Sequence, residues 1–374
     1  MTDEGISIAA RIDALADELI AREEMGEEWR AAMHAAPRHL FVPPVAWSGP
    51  YDRPGHVIDH EADAAGWLKA AYADHPIVTQ IDDGETDVRE GEGRVYSSSL
   101  SAPGAVMSFL DLLAPYPGDK VLEVGTGTGW TAALLSHRVG AGNVTSIEMD
   151  EVLLSTAAEN LERAGHDPRL VRGDGLLGFA DGAPYDRVHV TCGVYEIPYA
   201  WVEQTRPGGV IVLPWSPPFE PGHNIALTVT AKGTAIGGFS GGSSYMMARN
   251  QRHPDKPQVE PGRWRLSETD VDPRRVMRGG FGADVVIATL VPEAWSESEF
   301  GEESMTVQLW DRTSLAVVAG REVRQYGERN LWDEVEAAFF KWVEWGCPGR
   351  NRFGMTVTRD GRHVWLDSPD SPIG

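Results

Sequence analysis

The sequence predicts an α/β chain in which a doubly wound, mostly parallel sheet is followed by a smaller α+β domain. Three observations predict it. Between residues 120 and 213, short apolar segments alternate with segments of helical periodicity. One apolar segment runs straight into Gly125-Thr126-Gly127-Thr128-Gly129, the strand-to-helix turn expected where such a sheet binds a ligand. After Pro214 the pattern gives way to turn-rich and strand-like sequence. At 374 residues the chain exceeds what one core usually fills, so a second domain is expected.

Taken in order, Ile8, Ile12, Leu15, Leu19 and Ile20 recur at three- and four-residue spacing and predict one amphipathic helix from about 7 to 35, the N-terminal helix of 1–36. Residues 43–86 are rich in Pro, Gly, Asp and His without periodicity and read as irregular connection or lid. Met107, Leu110 and Leu113 mark a helix. Strands are expected over 120–124, 143–147, 169–172, 187–191 and 210–213, with helices over 128–139 and 151–164 and one starting near Pro198. The main domain is set at 37–232, with 37–105 as its substrate side. Residues 233–261 read as a linker and 262–374 as an accessory α+β domain, strand-like at 284–290, 305–311, 314–319 and 355–367 and helical over 331–345. Seven of the 13 Trp residues fall in that last part; they read as core, with a Trp-lined surface as the alternative.

The balance of 56 acidic against 33 basic residues, net −23, disfavours nucleic acid as a partner because the surface repels a phosphate backbone. Cys192 and Cys347 stand far apart and form no metal motif or disulfide framework. The acidic N-terminus lacks a signal-peptide pattern and no apolar run approaches a membrane span, so a cytoplasmic location without membrane contact is expected.

The chemistry concentrates in VLEVGTGTGWTAALL, residues 121–135. Its glycines permit a tight turn and close approach of a nucleoside-like ligand. A dinucleotide fingerprint would want glycine where the chain has Trp130, whereas GxGxG preceded by an acidic residue, Glu123, fits S-adenosylmethionine better. Glu148 lies 19 residues after Gly129 (148 − 129), at the end of the next strand, where a carboxylate can accept both ribose hydroxyls. Asp174, between Gly173 and Gly175, reads either as an adenine-reading carboxylate or as a helix N-cap.

The blocks PRHLFVP, VLEVGTGTGWTAALLSHRVG, SIEMD, RGDG and VTCGVYEIPYAWVEQTRPGGVIVLP, in this order from Pro37 to Pro214, resemble the protein-L-isoaspartate O-methyltransferase family. The resemblance implies a Rossmann-like class I methyltransferase fold and S-adenosylmethionine as methyl donor, leaving as S-adenosylhomocysteine. It implies donor binding by Gly125, Thr126, Gly127, Gly129, Glu148, Asp174 and Gly175, and it matches Ser101 to the family's active-site serine. Ser98, Ser99, Thr191 and Cys192 would line the substrate side. The chain departs from the family pattern before Ser97 and in its length beyond Pro214. In these respects it is similar to relatives associated with ribosomally made, modified peptides (lasso peptides, lanthipeptides, graspetides), which implies a peptide substrate, a macrocyclised precursor whose Asp or isoAsp is esterified and then closes to an aspartimide. General isoaspartyl repair is the alternative. A monomer is expected.

The residue chemistry agrees independently. A carboxylate of pKa ~4 is ionised at neutral pH and needs positioning rather than a general base. Serine hydroxyls suit that task, although Ser101 also reads as an N-cap for the helix that follows Pro103. Cys192 reads as a buried small residue, since no His partner is near it in sequence. His39, His56, His60 and His75 lack metal-ligand spacing. Two other classes stay open: a nicotinamide-dependent reductase, disfavoured by Trp130 and by the absence of a Tyr-x-x-x-Lys pair, and a peptide-binding module with a vestigial nucleoside pocket.

Overall fold

A computed structural model of the chain describes residues 7–91, 94–219, 221–260, 262–301 and 305–374. They form two compact units, Met1–Thr191 with Ala200–Val212, and Cys192–Tyr199 with Leu213–Gly374.

The first unit holds α1 (Ile8–Ala21), α2 (Arg30–Ala35), β1 (Val45–Ser48), β2 (His56–Asp59), α3 (Ala64–Ala71), β3 (Ile77–Ile81), β4 (Tyr96–Leu100), α4 (Pro103–Leu113), β5 (Val121–Val124), α5 (Trp130–Val139), β6 (Val144–Glu148), α6 (Glu151–Ala164), β7 (Arg169–Arg172) and β8 (Tyr185–Val190), followed by most of α7 (Tyr199–Glu203) and of β9 (Thr205–Trp215). Its parallel strands lie in the order β9-β8-β5-β6-β7. Every residue of β5 and β6 is buried, as strands covered on both faces require. The helix α6 is delimited by its own sequence: Asp150 accepts the Val152 and Leu153 amides at one end, and Gly165 takes φ +78° at the other.

Two expectations for this unit are corrected. The N-terminal segment is not one helix, because α1 ends at Ala21, with Arg22 as its cap, and Glu23 turns left-handed at φ +59° before α2 begins. The stretch 43–86 is not irregular: β1, β2 and β3 join β4 in a four-stranded antiparallel sheet of order β2-β1-β3-β4. Strands of four or five residues set among Pro, Gly and Asp are too short to show a period.

The second unit contains β10 (Gly222–Val229), β11 (Ala235–Ser243), β12 (Arg265–Glu268), α8 (Pro273–Met277), α9 (Phe281–Leu290), β13 (Trp295–Phe300), β14 (Met305–Trp310), β15 (Leu315–Ala319), β16 (Glu322–Tyr326), α10 (Leu331–Glu344), β17 (Phe353–Thr358) and β18 (Gly361–Leu366). Strands β10, β11, β17 and β18 pair antiparallel in that order, and β12-β16-β15-β14-β13 form a separate sheet. The expected linker 233–261 thus contains β11. Its glycines are packing residues: a Cβ on Gly237 would stand 1.7 Å from the Ala226 carbonyl oxygen. Residues 284–290 are helical in α9, not a strand, since an apolar run buried on all sides carries no period that separates the two. Trp295, Trp310, Trp332 and Trp342 are buried, so these aromatics build core. Among the described residues no helix is long and apolar enough to cross a membrane.

Candidate functional site

Strand β5 delivers the chain into a loop that only glycine accommodates at alternate positions: Gly125, Gly127 and Gly129 have φ of +96°, +55° and +96°. A Cβ on Gly129 would press on Leu161 at 3.2 Å, so this glycine lets α5 approach α6. Trp130 opens α5 from the core side, with its indole N–H donating to the Ala36 carbonyl at 3.0 Å. The position that a dinucleotide fingerprint reserves for glycine is here a buried anchor.

Behind the loop runs a buried relay. The Thr126 and Ser146 hydroxyls lie 2.7 Å apart and Ser146 donates to Glu123. Burial pushes the Glu123 carboxyl up to about 8, against the lowering effect of the Ser146 bond, so it holds a proton at neutral pH. Glu148, at the end of β6, accepts the Gly127 amide on one oxygen at 3.0 Å and the Met149 and Asp150 amides on the other at 2.9 and 3.1 Å. A carboxylate has about four acceptor positions, so beside the three amides one remains for a ribose hydroxyl. Asp174 follows β7 and accepts the Leu176 amide at 3.0 Å as the cap of a short 3-10 turn. A Cβ on the neighbouring Gly175 would meet Val124 at 2.5 Å. Glu148 and Asp174 therefore stand with the glycine loop at the carboxyl ends of three adjacent parallel strands, where sheets of this kind bind ligands.

The serine stretch is β4 and the residue after it, and among the described residues β4 is an edge strand paired with β3 alone. It comes close to the glycine loop: a Cβ on Gly127 would stand 3.8 Å from the Ser99 carbonyl oxygen and 3.9 Å from Ser98 Oγ. Ser97 donates to Gln80 Oε1, and buried Ser98 accepts from Thr79 Oγ1, each at 3.0 Å. The hydroxyls of Ser99 and Ser101 make no hydrogen bond among the described residues. Ser101 is not the N-cap of α4. Ala102 holds that position without a side-chain cap, and Asp74 Oδ1 accepts the Gly104 amide at 2.7 Å instead.

Thr191 donates to the Val124 and Gly125 carbonyls at 2.9 and 2.6 Å, so its hydroxyl braces the glycine loop. Cys192 is half-buried and belongs to the second unit. His39 bonds the Tyr72 hydroxyl and His75 is buried. Among the described residues no group of three or more His, Cys, Asp and Glu is placed to hold a metal. Sequence reasoning missed Ser146, Arg38 and Asp74 as parts of this neighbourhood. Arg38 lay within the quoted PRHLFVP block, but its partners are main-chain carbonyls that leave no signature.

Comparison with known proteins places this geometry in a family. Residues 65–232 match the family model for protein-L-isoaspartate(D-aspartate) O-methyltransferase. A Methanothrix thermoacetophila protein-L-isoaspartate O-methyltransferase is 36% identical over 195 residues, covering 52% of this chain and 76% of that protein. The Pyrococcus horikoshii enzyme of the same name is 46% identical over 117 residues, 31% of this chain and 53% of that one. A Methanosarcina mazei relative is 34% identical over 185 residues, 49% and 61% respectively. The chain thus spans between half and two thirds of the length of these last two. A solved structure titled protein-L-isoaspartate O-methyltransferase shares the fold at TM-score 0.56 and 20% identity, covering 96% of this chain and all of that one.

Proposed function

We propose, since this chain belongs to the protein-L-isoaspartate O-methyltransferase family, that it is a carboxyl O-methyltransferase acting on isoaspartyl or aspartyl side chains of peptides. The observation that carries the reading is an edge strand and the residue after it with two hydroxyls unengaged among the described residues, Ser99 on β4 and Ser101 just past its end, beside a glycine loop flanked by Glu148 and Asp174.

The residues present fit S-adenosylmethionine. Glu148 retains one acceptor position for a ribose hydroxyl, Gly127 leaves open the space a Cβ would fill, and Gly125, Thr126, Gly129, Asp174 and Gly175 complete the cradle. Bound there, that cofactor would supply an electrophilic methyl group on a sulfonium, so that an anionic carboxylate and a cationic donor give a neutral ester and a thioether with no proton moved.

This chain's own part is to bind and orient. The Ser101 hydroxyl donates to the substrate carboxylate and fixes the attacking oxygen, while Ser98 and Ser99 shape the strand beside it. A serine donor positions the oxygen without the ground-state stabilisation that an arginine pair would impose. His189, on β8, is fully buried and burial pushes it down to about 4, so it remains neutral and is not needed as a base. Thr191 supports the loop from behind, and Cys192 follows it in the chain.

The test is incubation of the protein with S-adenosylmethionine and a short isoaspartyl peptide, read by mass spectrometry. The expected product is heavier by one CH2 unit and releases methanol in base; an unchanged peptide overturns the reading. General repair is the first expectation because the matched relatives bear that family's name. A second reading, esterification of an aspartate in a macrocyclised precursor peptide leading to an aspartimide, is favoured by one observation. Residues 233–374 lie outside the family match and build β11 to β18 and α8 to α10. It predicts turnover of a cyclised peptide over its linear form, ending one water lighter than the start.

A further inference from the structure

Arg38 sits in the short 3-10 turn Arg38–Phe41 and is 1% exposed. Nothing in its surroundings forms an ion pair with it among the described residues. Its guanidinium lies 5.4 Å from the centre of the Trp130 ring and spends its donors on main-chain carbonyls. Nη1 donates to Ala71 and Ala73 at 2.9 and 3.3 Å, and Nη2 to His75, Leu100 and Ser101 at 3.1, 3.3 and 3.0 Å. A buried cation costs stability unless its donors are met; here both terminal nitrogens are met by two separate stretches of chain, 71–75 and 100–101, while Nε has no partner among the described residues.

One of those stretches is the end of the serine edge. Arg38 holds the carbonyls of Leu100 and Ser101, and Asp74 holds the Gly104 amide three residues further on. Asp74 is itself fixed by Arg22, which also binds Glu24 at 2.8 Å. The backbone on both sides of Ser101 is therefore pinned, while its hydroxyl engages nothing among the described residues. The same arginine stacks on Trp130, the residue that follows the glycine loop. A planar fork can serve several carbonyls at fixed angles, which a lysine ammonium cannot reproduce.

We propose that Arg38 and Asp74 are positioning residues that clamp the 100–104 main chain so that the Ser101 hydroxyl is presented at a set distance from the glycine loop. The proposal rests on the carboxyl methyltransferase reading. Both residues act through Ser101, and neither touches the reacting atoms.

The experiment is a double-mutant cycle in methyl transfer to a short isoaspartyl peptide, using Arg38→Lys, Ser101→Ala and the double variant. Affinity for S-adenosylhomocysteine is measured by calorimetry on the same samples. Arg38→Lys is expected to lower kcat roughly 10- to 100-fold while leaving that affinity within about threefold. In the Ser101→Ala background the same change should cost less than about threefold, because the group it positions is gone. Losses that multiply, or an affinity that falls in step with kcat, overturn the proposal. If Arg38→Lys does not melt as a folded protein, Asp74→Ala carries the same cycle, since it removes one half-buried acceptor. A wild-type protein that transfers no methyl group sinks the functional reading and this proposal with it; an active wild type with multiplicative losses sinks this proposal alone.

Discussion

Replacing Glu123 with glutamine tests the buried relay behind the glycine loop. Burial, reinforced by the negative charge of Glu148, raises this carboxyl to about 8 despite the bond from Ser146. In the unfolded chain a glutamate loses its proton near ~4.3. Between those values the folded protein binds a proton that the unfolded chain has released, so stability falls as pH rises. The contribution is complete below ~4.3, is lost progressively up to about 8, and is constant above. A displacement from 4.5 to about 8 corresponds to roughly 4 to 5 kcal/mol as an upper limit, which water entry and relaxation reduce. Glutamine mimics the protonated acid at every pH and keeps an oxygen for the Ser146 hydroxyl. Urea denaturation of wild type and Glu123→Gln across about pH 5 to 9 gives a difference in which the other titrating groups cancel. The stability of the variant relative to wild type should climb by more than ~1 kcal/mol over that range. A flat or falling difference refutes the assignment of a neutral Glu123.

Three further outcomes follow from the same geometry. Ser101→Ala should lower kcat for peptide methylation roughly 10- to 100-fold with little change in S-adenosylhomocysteine affinity by calorimetry. Glu148→Ala removes the acceptor of three main-chain amides and of the proposed ribose hydroxyl, so S-adenosylhomocysteine affinity should fall by about 1.5 to 3 kcal/mol, checked by titration calorimetry. Trp130→Gly restores a dinucleotide-like glycine pattern but empties a buried site and orphans the Ala36 carbonyl. Thermal or urea melts should register a loss of about 3 to 5 kcal/mol, and calorimetry should show no gain in nicotinamide dinucleotide binding.

The parts of the fold that could be read in the sequence are those whose cause is local. β5 and β6 are short, fully buried strands closed by glycine or an acid, and α6 carries its own caps. What escaped was structure whose cause lies elsewhere in the chain. β1 and β3 are short, and their pairing is set by each other, not by any local pattern. α9 is wrapped in core on all sides, which erases the helical period. The same division holds at the site. Glycines at positive φ and an acid at a strand end leave a local spacing, whereas Arg38 acts on carbonyls 33 to 63 positions away and so shows nothing in its own neighbourhood.

The serine stretch shows why the alternatives left open by sequence were not true alternatives. A cap and a ligand site looked like competing uses of one hydroxyl, but the chain divides the work among different groups. Asp74 takes the capping role at α4, and Ser97 and Ser98 bond β4 to side chains of β3. What remains are the hydroxyls of Ser99, on a strand with no second neighbour among the described residues, and of Ser101, just past that strand's end. A reaction between an ionised carboxylate and a methyl cation equivalent asks for nothing more basic than that. Its demand is geometric, and geometry is what a rigid strand end, fixed through backbone contacts by a buried arginine and an aspartate, can supply.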